Sequence, residues 1–281
     1  MKKAIVLGGS GQLGQCIQAA DTGGLEIIYC NSQDANVLEE DQLRTVFSRE
    51  RPDVIINCAA YTAVDAAEDE PLRAAAVNAQ APELIAQLCL EYNILLIHIS
   101  TDFVFDGYSS TPRKESDAPN PIGAYGKTKL AGEEAITHTM EKFVILRTSW
   151  LYSEYGNNFL KTMIRVAKDR GELSVVYDQT GTPTYAMDLA DAIVKIALMD
   201  EPVYGIYHYS NEGVASWYDF AHAIFTASNM NVKLHPVLSA AYPTKAERPK
   251  YSVLDKAKLK KNFKLDVPHW RDSLNKCISR L

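Results

Sequence analysis

Cysteine is scarce in this 281-residue sequence, and its five cysteines, Cys16, Cys30, Cys58, Cys89 and Cys277, form no CxxC pair. An odd, scattered set inside apolar segments excludes a disulfide framework and a zinc knuckle, and it implies reduced, buried thiols in a cytoplasmic protein. Six histidines show no metal-ligand spacing, so no metal site is expected from them and they read as incidental. Positive charge is also in deficit: 29 Lys and Arg stand against 35 Asp and Glu, for a net charge of −6. That balance excludes a general binder of nucleic acid or anionic membrane, and any phosphate must be held locally. No apolar run approaches the roughly 18 residues of a membrane span. The short run Ala4-Ile5-Val6-Leu7 ends at glycines, so neither signal peptide nor anchor is expected. What remains, 47% hydrophobic and 23% charged residues, is the make-up of a globular chain with a sizeable core.

Short apolar runs alternate with amphipathic stretches over the first ~150 residues, the pattern of βαβ units around a parallel sheet. The strands are expected at Ala4 to Leu7, Glu26 to Cys30, Val54 to Asn57, Ile94 to Ile97 and Phe143 to Leu146. Helical spacing marks Gln12 to Ala20, Leu38 to Phe47, Pro71 to Glu91 and Ala124 to His138, with Pro82 marking a restart or kink. Near-continuous apolar strands imply a sheet covered on both faces. After Arg147 come a Tyr, Gly and Asn-rich loop (Trp150 to Asn158), a helix from Phe159 to Lys168 and a short strand near Val175. Leu189 to Met199 and Ile206 to Ser210 then read as a return to the sheet. Trp217 to Ala227 is a further helix, and the proline-punctuated tail reads as a small irregular lobe. The expected fold is α/β: a Rossmann-type doubly wound parallel sheet with a smaller C-terminal α/β substrate-binding lobe. Residues 1–148, rejoined by about 186–211, would form the dinucleotide-binding domain, and 149–185 with 212–281 the lobe.

Gly8-Gly9-Ser10-Gly11-Gln12-Leu13-Gly14 sits between the first strand and the first helix. Glycines there let a pyrophosphate approach main-chain N–H groups at a helix N-terminus, where the dipole favours negative charge. An acidic residue at the end of the second strand would hold the ribose 2′-OH of NAD. This sequence has Tyr29-Cys30-Asn31-Ser32 instead, which favours NADPH and leaves NADH possible. Tyr125 and Lys129 form a YxxxK pair on one helix face. Downstream of a strand ending Ile99-Ser100-Thr101-Asp102, they complete the hydroxyl, phenol and ammonium set that a carbonyl reductase needs.

These motifs, with Asn57 to Glu68 (NCAAYTAVDAAE), Ser100 to Gly107 (STDFVFDG) and Tyr125 to Glu133 (YGKTKLAGE), resemble those of the extended short-chain dehydrogenase/reductases. Arg147 to Tyr152 (RTSWLY), Gly156 to Met163, Asp178 to Ala190 and Arg248 to Asp255 (RPKYSVLD) narrow the resemblance to the dTDP-4-dehydrorhamnose reductase family, over nearly the whole chain. The resemblance implies NADPH-dependent reduction of the C4 ketone of dTDP-4-dehydro-β-L-rhamnose, for cell-surface polysaccharide. It makes Tyr125 the proton donor, Lys129 its partner, and places Thr101 and Asp102 on the sugar near its ketone. Trp150 would pack on the deoxysugar, with Asn158 and Arg248 as further substrate ligands. Gly8, Gly11, Gln12, Leu13 and Gly14 would hold the cofactor diphosphate, with Ala60, Tyr61, Thr62 and Ile99 along it and Asn31 by the ribose. Asn36-Val37 falls where the family often has an aspartate and an apolar residue beside the adenine. Some members carry Mg2+ at a dimer interface, so Mg2+ is possible here and the chain is expected as a monomer or homodimer.

Plainer readings of the same residues stay open. Trp150 also suits core filling, Asp102 a loop cap, Asn157-Asn158 an N-cap, and Arg248 and Lys250 solvent. Two other functions fit the same dinucleotide fold: a nucleotide-sugar epimerase that retains NAD, and a non-catalytic dinucleotide-binding regulatory subunit.

Overall fold

The computed structural model describes residues 1–281. Six parallel strands, β1 (Lys3–Leu7), β2 (Glu26–Cys30), β3 (Val54–Asn57), β4 (Leu95–Thr101), β5 (Phe143–Thr148) and β6 (Gly205–His208), form one sheet in the order β2-β1-β3-β4-β5-β6. Strand alternation sends Ala4, Val6, Ile56, Ile97 and Val144 into one core and Ile5, Leu7, Ile55, Leu96 and Ile145 into another. Both faces are therefore buried, which is why these strands read as unbroken apolar runs rather than alternating ones. The cores are unequal, 40 buried residues against 18, because the larger one continues into the C-terminal lobe through Tyr185, Phe220 and Trp270.

Helices α1 (Gln12–Ala19), α2 (Glu40–Glu50), α3 (Ala81–Glu91) and α4 (Ala124–Thr139) flank the sheet. Helix α2 starts two residues later than its spacing predicts, because the Asn36 side chain accepts from the Leu38 N–H and holds that segment in a turn. It ends at Arg51, whose φ of 47° is left-handed. The stretch from Pro71 to Glu91 restarts at Pro82, as expected, without leaving helical backbone. It runs as a helix over Pro71–Ala75, a π-helical turn over Ala76–Gln80, and then α3. Pro82 offers no N–H to the carbonyl of Asn78 four residues earlier, and the wider turn absorbs the misfit. That carbonyl lies against Gly132 of α4, where any Cβ would overlap it.

After β5 the chain forms α5 (Phe159–Asp169), α6 (Ala186–Leu198), α7 (Trp217–Ala227) and α8 (Trp270–Ile278). Three two-stranded pairings tie the lobe together: Glu172–Val176 with Lys233–Val237, Leu151–Tyr152 with Thr184–Tyr185, and Thr180–Gly181 with Ala215–Ser216. The tail is more ordered than its prolines suggest, since Trp270, Leu274 and Cys277 of α8 are buried in the larger core. No helix is long and apolar enough to cross a membrane.

Candidate active site

The strand order reverses between β1 and β3, and ligands of doubly wound sheets sit at the carboxyl ends of the strands at such a point. A cleft of ≈ 440 Å³ opens there. Gly11, Gln12 and Leu13 form its floor beside α1; Ala60 and Thr62 follow β3; Ile99, Thr101 and Asp102 end β4; Tyr125 and Lys129 come from α4; Trp150 and Asn158 close the lobe side. Gly8 and Gly14 shape the turn from behind. Gly8 has a φ of +79°, and a Cβ on it would come within 2.8 Å of the Ala59 nitrogen; one on Gly14 would meet the Gly8 carbonyl at 2.5 Å. Gly11 is the N-cap of α1 and supplies no side-chain cap, so the first-turn N–H groups are left for a ligand. A glycine cradle, bare helix-start donors and an adjoining cleft fit the diphosphate of a dinucleotide.

Besides Gly8 and Gly14, four predicted cofactor residues lie outside the cleft wall. Asn31 spends its side-chain oxygen on the Gln33 N–H (2.7 Å) and the Asp34 N–H (3.2 Å), making a turn at the end of β2. Asn36 holds the next turn, and Val37 packs against the smaller core. Tyr61 is directed to the surface, where its phenol donates to Glu70 at 3.2 Å.

Tyr125 lies edge-on to Phe103, ring centroids 5.6 Å apart. Burial pushes its phenol up to about 12, against the opposing pull of a hydrogen bond with Thr101. The Lys129 ammonium is buried and donates to the Ile99 carbonyl at 2.7 Å. Burial brings it down to about 8, although Glu133 and Cys58 pull the other way. Thr101 Oγ1 accepts from the Phe103 N–H and donates to Asp102 Oδ1, both at 3.1 Å.

Asp102 is buried with Oδ2 lacking any partner. Burial raises its carboxyl from 3.8 to about 6, outweighing hydrogen bonds from Ser252 and Thr101. A carboxyl that holds its proton more tightly folded than unfolded contributes stability at low pH and loses it as pH rises through about 6. Asp102→Asn is therefore expected to gain stability over the wild type between pH 5 and pH 8 by roughly 1.5 kcal/mol, the half of the about 3 kcal/mol carried by a shift of about two units that falls above pH 5. Thermal melts at both pH values check this; an equal difference at the two would mean that Asp102 does not titrate in the fold.

Trp150 adopts a left-handed backbone, φ 47°, which costs an L-residue roughly 1–2 kcal/mol. Its indole is stacked on Trp217 with centroids 3.6 Å apart and planes 5° from parallel, and a Cβ on Gly181 would overlap the ring. The tryptophan is thus a cleft wall backed by a second tryptophan that no local spacing links to it. Asn158 caps α5 through Oδ1, which accepts from the Lys161 N–H at 3.1 Å. Its Nδ2 donates to Gln12 Oε1 at 2.7 Å and to the Ser153 carbonyl at 2.8 Å. The amide is committed within the protein, tying the lobe to the glycine turn. Arg248 is not free either: it makes a two-pronged pair with Asp65, at 2.7 and 3.1 Å, and borders a separate lobe pocket with Trp217 and Phe159.

Two of the six histidines are not incidental but buried in polar networks. His208 bridges the Arg113 carbonyl and Arg147, and burial brings it down to about 3. His98 lies beneath Lys129. Behind the site, Glu133 on α4 receives Arg147 of β5 at 2.6 Å and the Ser100 hydroxyl at 2.5 Å, all out of solvent. Cys58, Ser149 and Asn157 also line the cleft, and only their places after β3, β5 and the Trp150 loop would have signalled them. No group of three or more His, Cys, Asp or Glu side chains comes together in the chain, so nothing in its geometry supports the Mg2+ that the resemblance allows.

A family model described as RmlD substrate binding domain matches residues 1–281. A dTDP-4-dehydrorhamnose reductase of Aggregatibacter actinomycetemcomitans is 41% identical over 286 residues, covering 98% of this chain and 97% of the relative. Among solved structures, the dTDP-4-dehydrorhamnose reductase of Bacillus anthracis in complex with NADP superposes with a TM-score of 0.95 at 39% identity, covering 100% of this chain and 99% of the other. That of Clostridium acetobutylicum gives 0.93 at 40% identity, covering 99% of each chain.

Proposed function

The chain belongs to the RmlD substrate binding domain family, and we propose that its cleft is where the C4 ketone of dTDP-4-dehydro-β-L-rhamnose is reduced to give dTDP-L-rhamnose. The protein is an NAD(P)H-dependent oxidoreductase of dTDP-rhamnose biosynthesis. The observation that carries the assignment of the site is the meeting of Thr101, Tyr125 and Lys129 in one cleft with the glycine turn and Trp150.

Gly8, Gly11, Gln12, Leu13 and Gly14 would hold the diphosphate of NADPH, with Ala60, Thr62 and Ile99 along the cleft; the missing carboxylate at Asn31 leaves room for a 2′-phosphate, so NADPH is preferred to NADH. When bound, NADPH supplies the hydride. The remaining chemistry is a proton for the sugar oxygen. Tyr125, protonated at neutral pH, donates that proton as the C4 oxygen becomes an alkoxide, a far stronger base than a phenolate, so transfer runs downhill. Thr101, hydrogen-bonded to the phenol, orients it from the end of β4, and Lys129 places a positive charge on the same helix face. Residues 1–148 with 186–211 would carry the cofactor and 149–185 with 212–281 the sugar nucleotide. Five free thiols suit the cytoplasm, and a monomer or homodimer is the expected state.

Purified protein mixed with NADPH and dTDP-4-dehydro-β-L-rhamnose should oxidise NADPH in a one-to-one ratio with dTDP-L-rhamnose formed. A tightly held NAD with no net NADPH loss would identify an epimerase instead, and dinucleotide binding without turnover a regulatory subunit.

Trp150 supplies the apolar wall for the deoxysugar, at a backbone strain that glycine would relieve. Trp150→Ala should raise KM for the sugar nucleotide by the equivalent of about 1–3 kcal/mol, the range of aromatic platforms. An unchanged KM with a lowered melting temperature would reduce the tryptophan to packing against Trp217.

A further inference from the structure

His98 lies on β4 wholly buried, with one ring nitrogen facing Asn57 and the other facing Lys129. Asn57 Oδ1 accepts the Ala59 N–H at 3.1 Å, so the amide is oriented and its NH2 end is the one presented to His98 Nδ1, at 3.1 Å. An NH2 group can only donate, so Nδ1 must accept. A neutral ring that accepts at Nδ1 carries its proton at Nε2. That N–H is aimed at Lys129 Nζ, 3.3 Å away, while Nζ donates on its other side to the Ile99 carbonyl at 2.7 Å. An N–H pointing at an ammonium opposes it; the same N–H pointing at an amine meets a lone pair.

We propose that His98 is a positioning residue for the reduction: Asn57 locks its Nε2–H tautomer, and that N–H, aimed at Lys129 Nζ, opposes the ammonium and turns it toward the Ile99 carbonyl on its other side. Burial, and then the neighbouring Lys129, holds the ring itself far below its ordinary value, so His98 stays neutral across the working range. The other groups around Lys129 act in the opposite sense or are spoken for. Glu133 on α4 and Cys58 after β3 favour the ammonium, Arg147 of β5 is paired with Glu133, and Tyr125 and Asp102 hold their protons above the usual range. His98 is thus the one ring or side chain from β4 that presses on Nζ from below.

The role rests on the catalytic reading of Lys129, whereas the tautomer of the ring does not. In 15N-labelled wild-type protein, long-range proton–nitrogen correlation should show His98 with a protonated Nε2 and a bare Nδ1 at neutral pH; an Nδ1–H ring or a cation overturns the proposal whether or not the protein reduces sugars. In turnover, the alkaline limb of kcat/KM against pH should move upward by about one unit in His98→Leu, which removes the opposing N–H, and should stay near its wild-type position in His98→Gln, whose amide can restore a donor. Asn57→Asp should move the limb upward as well, because a carboxylate at Nδ1 reverses the tautomer and turns Nε2 into an acceptor for the ammonium. It serves as the test if His98→Leu does not fold. A limb that stays at the wild-type pH in the folded His98→Leu or Asn57→Asp variant makes His98 a packing residue and ends the proposal.

Discussion

Tyr125→Phe should lower kcat by about 10²–10⁴-fold, the usual worth of a general acid, which is about 3–5.5 kcal/mol of transition-state stabilisation. The variant should fold and bind as before, because the ring keeps its edge contact with Phe103 and loses one hydroxyl whose partner, Thr101, still accepts from the Phe103 N–H and donates to Asp102. The loss should fall on kcat with KM nearly unchanged, since the proton matters only as charge develops on the sugar oxygen. Retention of more than about a tenth of kcat would remove Tyr125 from the role. The phenol lies up near 12, so the wild type holds this proton throughout the physiological range and any alkaline fall in rate must come from another group, Lys129 being the one brought down to about 8.

The parts of this site that are legible in the sequence are those whose chemistry is local. The glycine turn announces itself because a βα junction that must let a phosphate near the backbone needs glycine within a few residues of the strand, and Gly8 and Gly14 do meet backbone where a Cβ would collide. Tyr125 and Lys129 share a helix face by spacing alone. Strands read as apolar runs because both sheet faces are covered. The illegible parts are pairings between distant segments. Arg248 looks like a free cation for a diphosphate until the fold brings Asp65 to it from 183 residues away. Trp150 looks like a lone platform until Trp217 slides behind it. Asn158 left both readings open, and the fold gives its amide to the cap and to Gln12 together. His98 has no spacing signature at all, because its partners lie on a neighbouring strand and on the helix above.

Arg147→Met should cost about 3–5 kcal/mol of stability, the range for breaking a buried ion pair by removing one partner. Arg147 and Glu133 are each 2% exposed, and the guanidinium gives Glu133 hydrogen bonds at 2.6, 2.9 and 3.1 Å. Without it the carboxylate keeps only the Ser100 hydroxyl as a donor, and the Lys129 ammonium one turn along α4 is the one buried counter-charge left to it. The pair itself is expected to be worth much less than that loss, because both charges gave up water to form it. Removing both partners, as Glu133→Leu with Arg147→Met, should therefore recover most of the stability that the single substitution loses. A double-mutant cycle by urea unfolding measures the difference. Activity separates the two roles of Glu133, which also favours the ammonium of Lys129 one turn along α4. The double variant should be stable yet show its alkaline limb shifted to lower pH, the reverse of the His98→Leu shift. A double variant as unstable as Arg147→Met would mean that the loss arises from repacking around Phe105, over whose ring the guanidinium lies at 5.1 Å, and not from the orphaned charge.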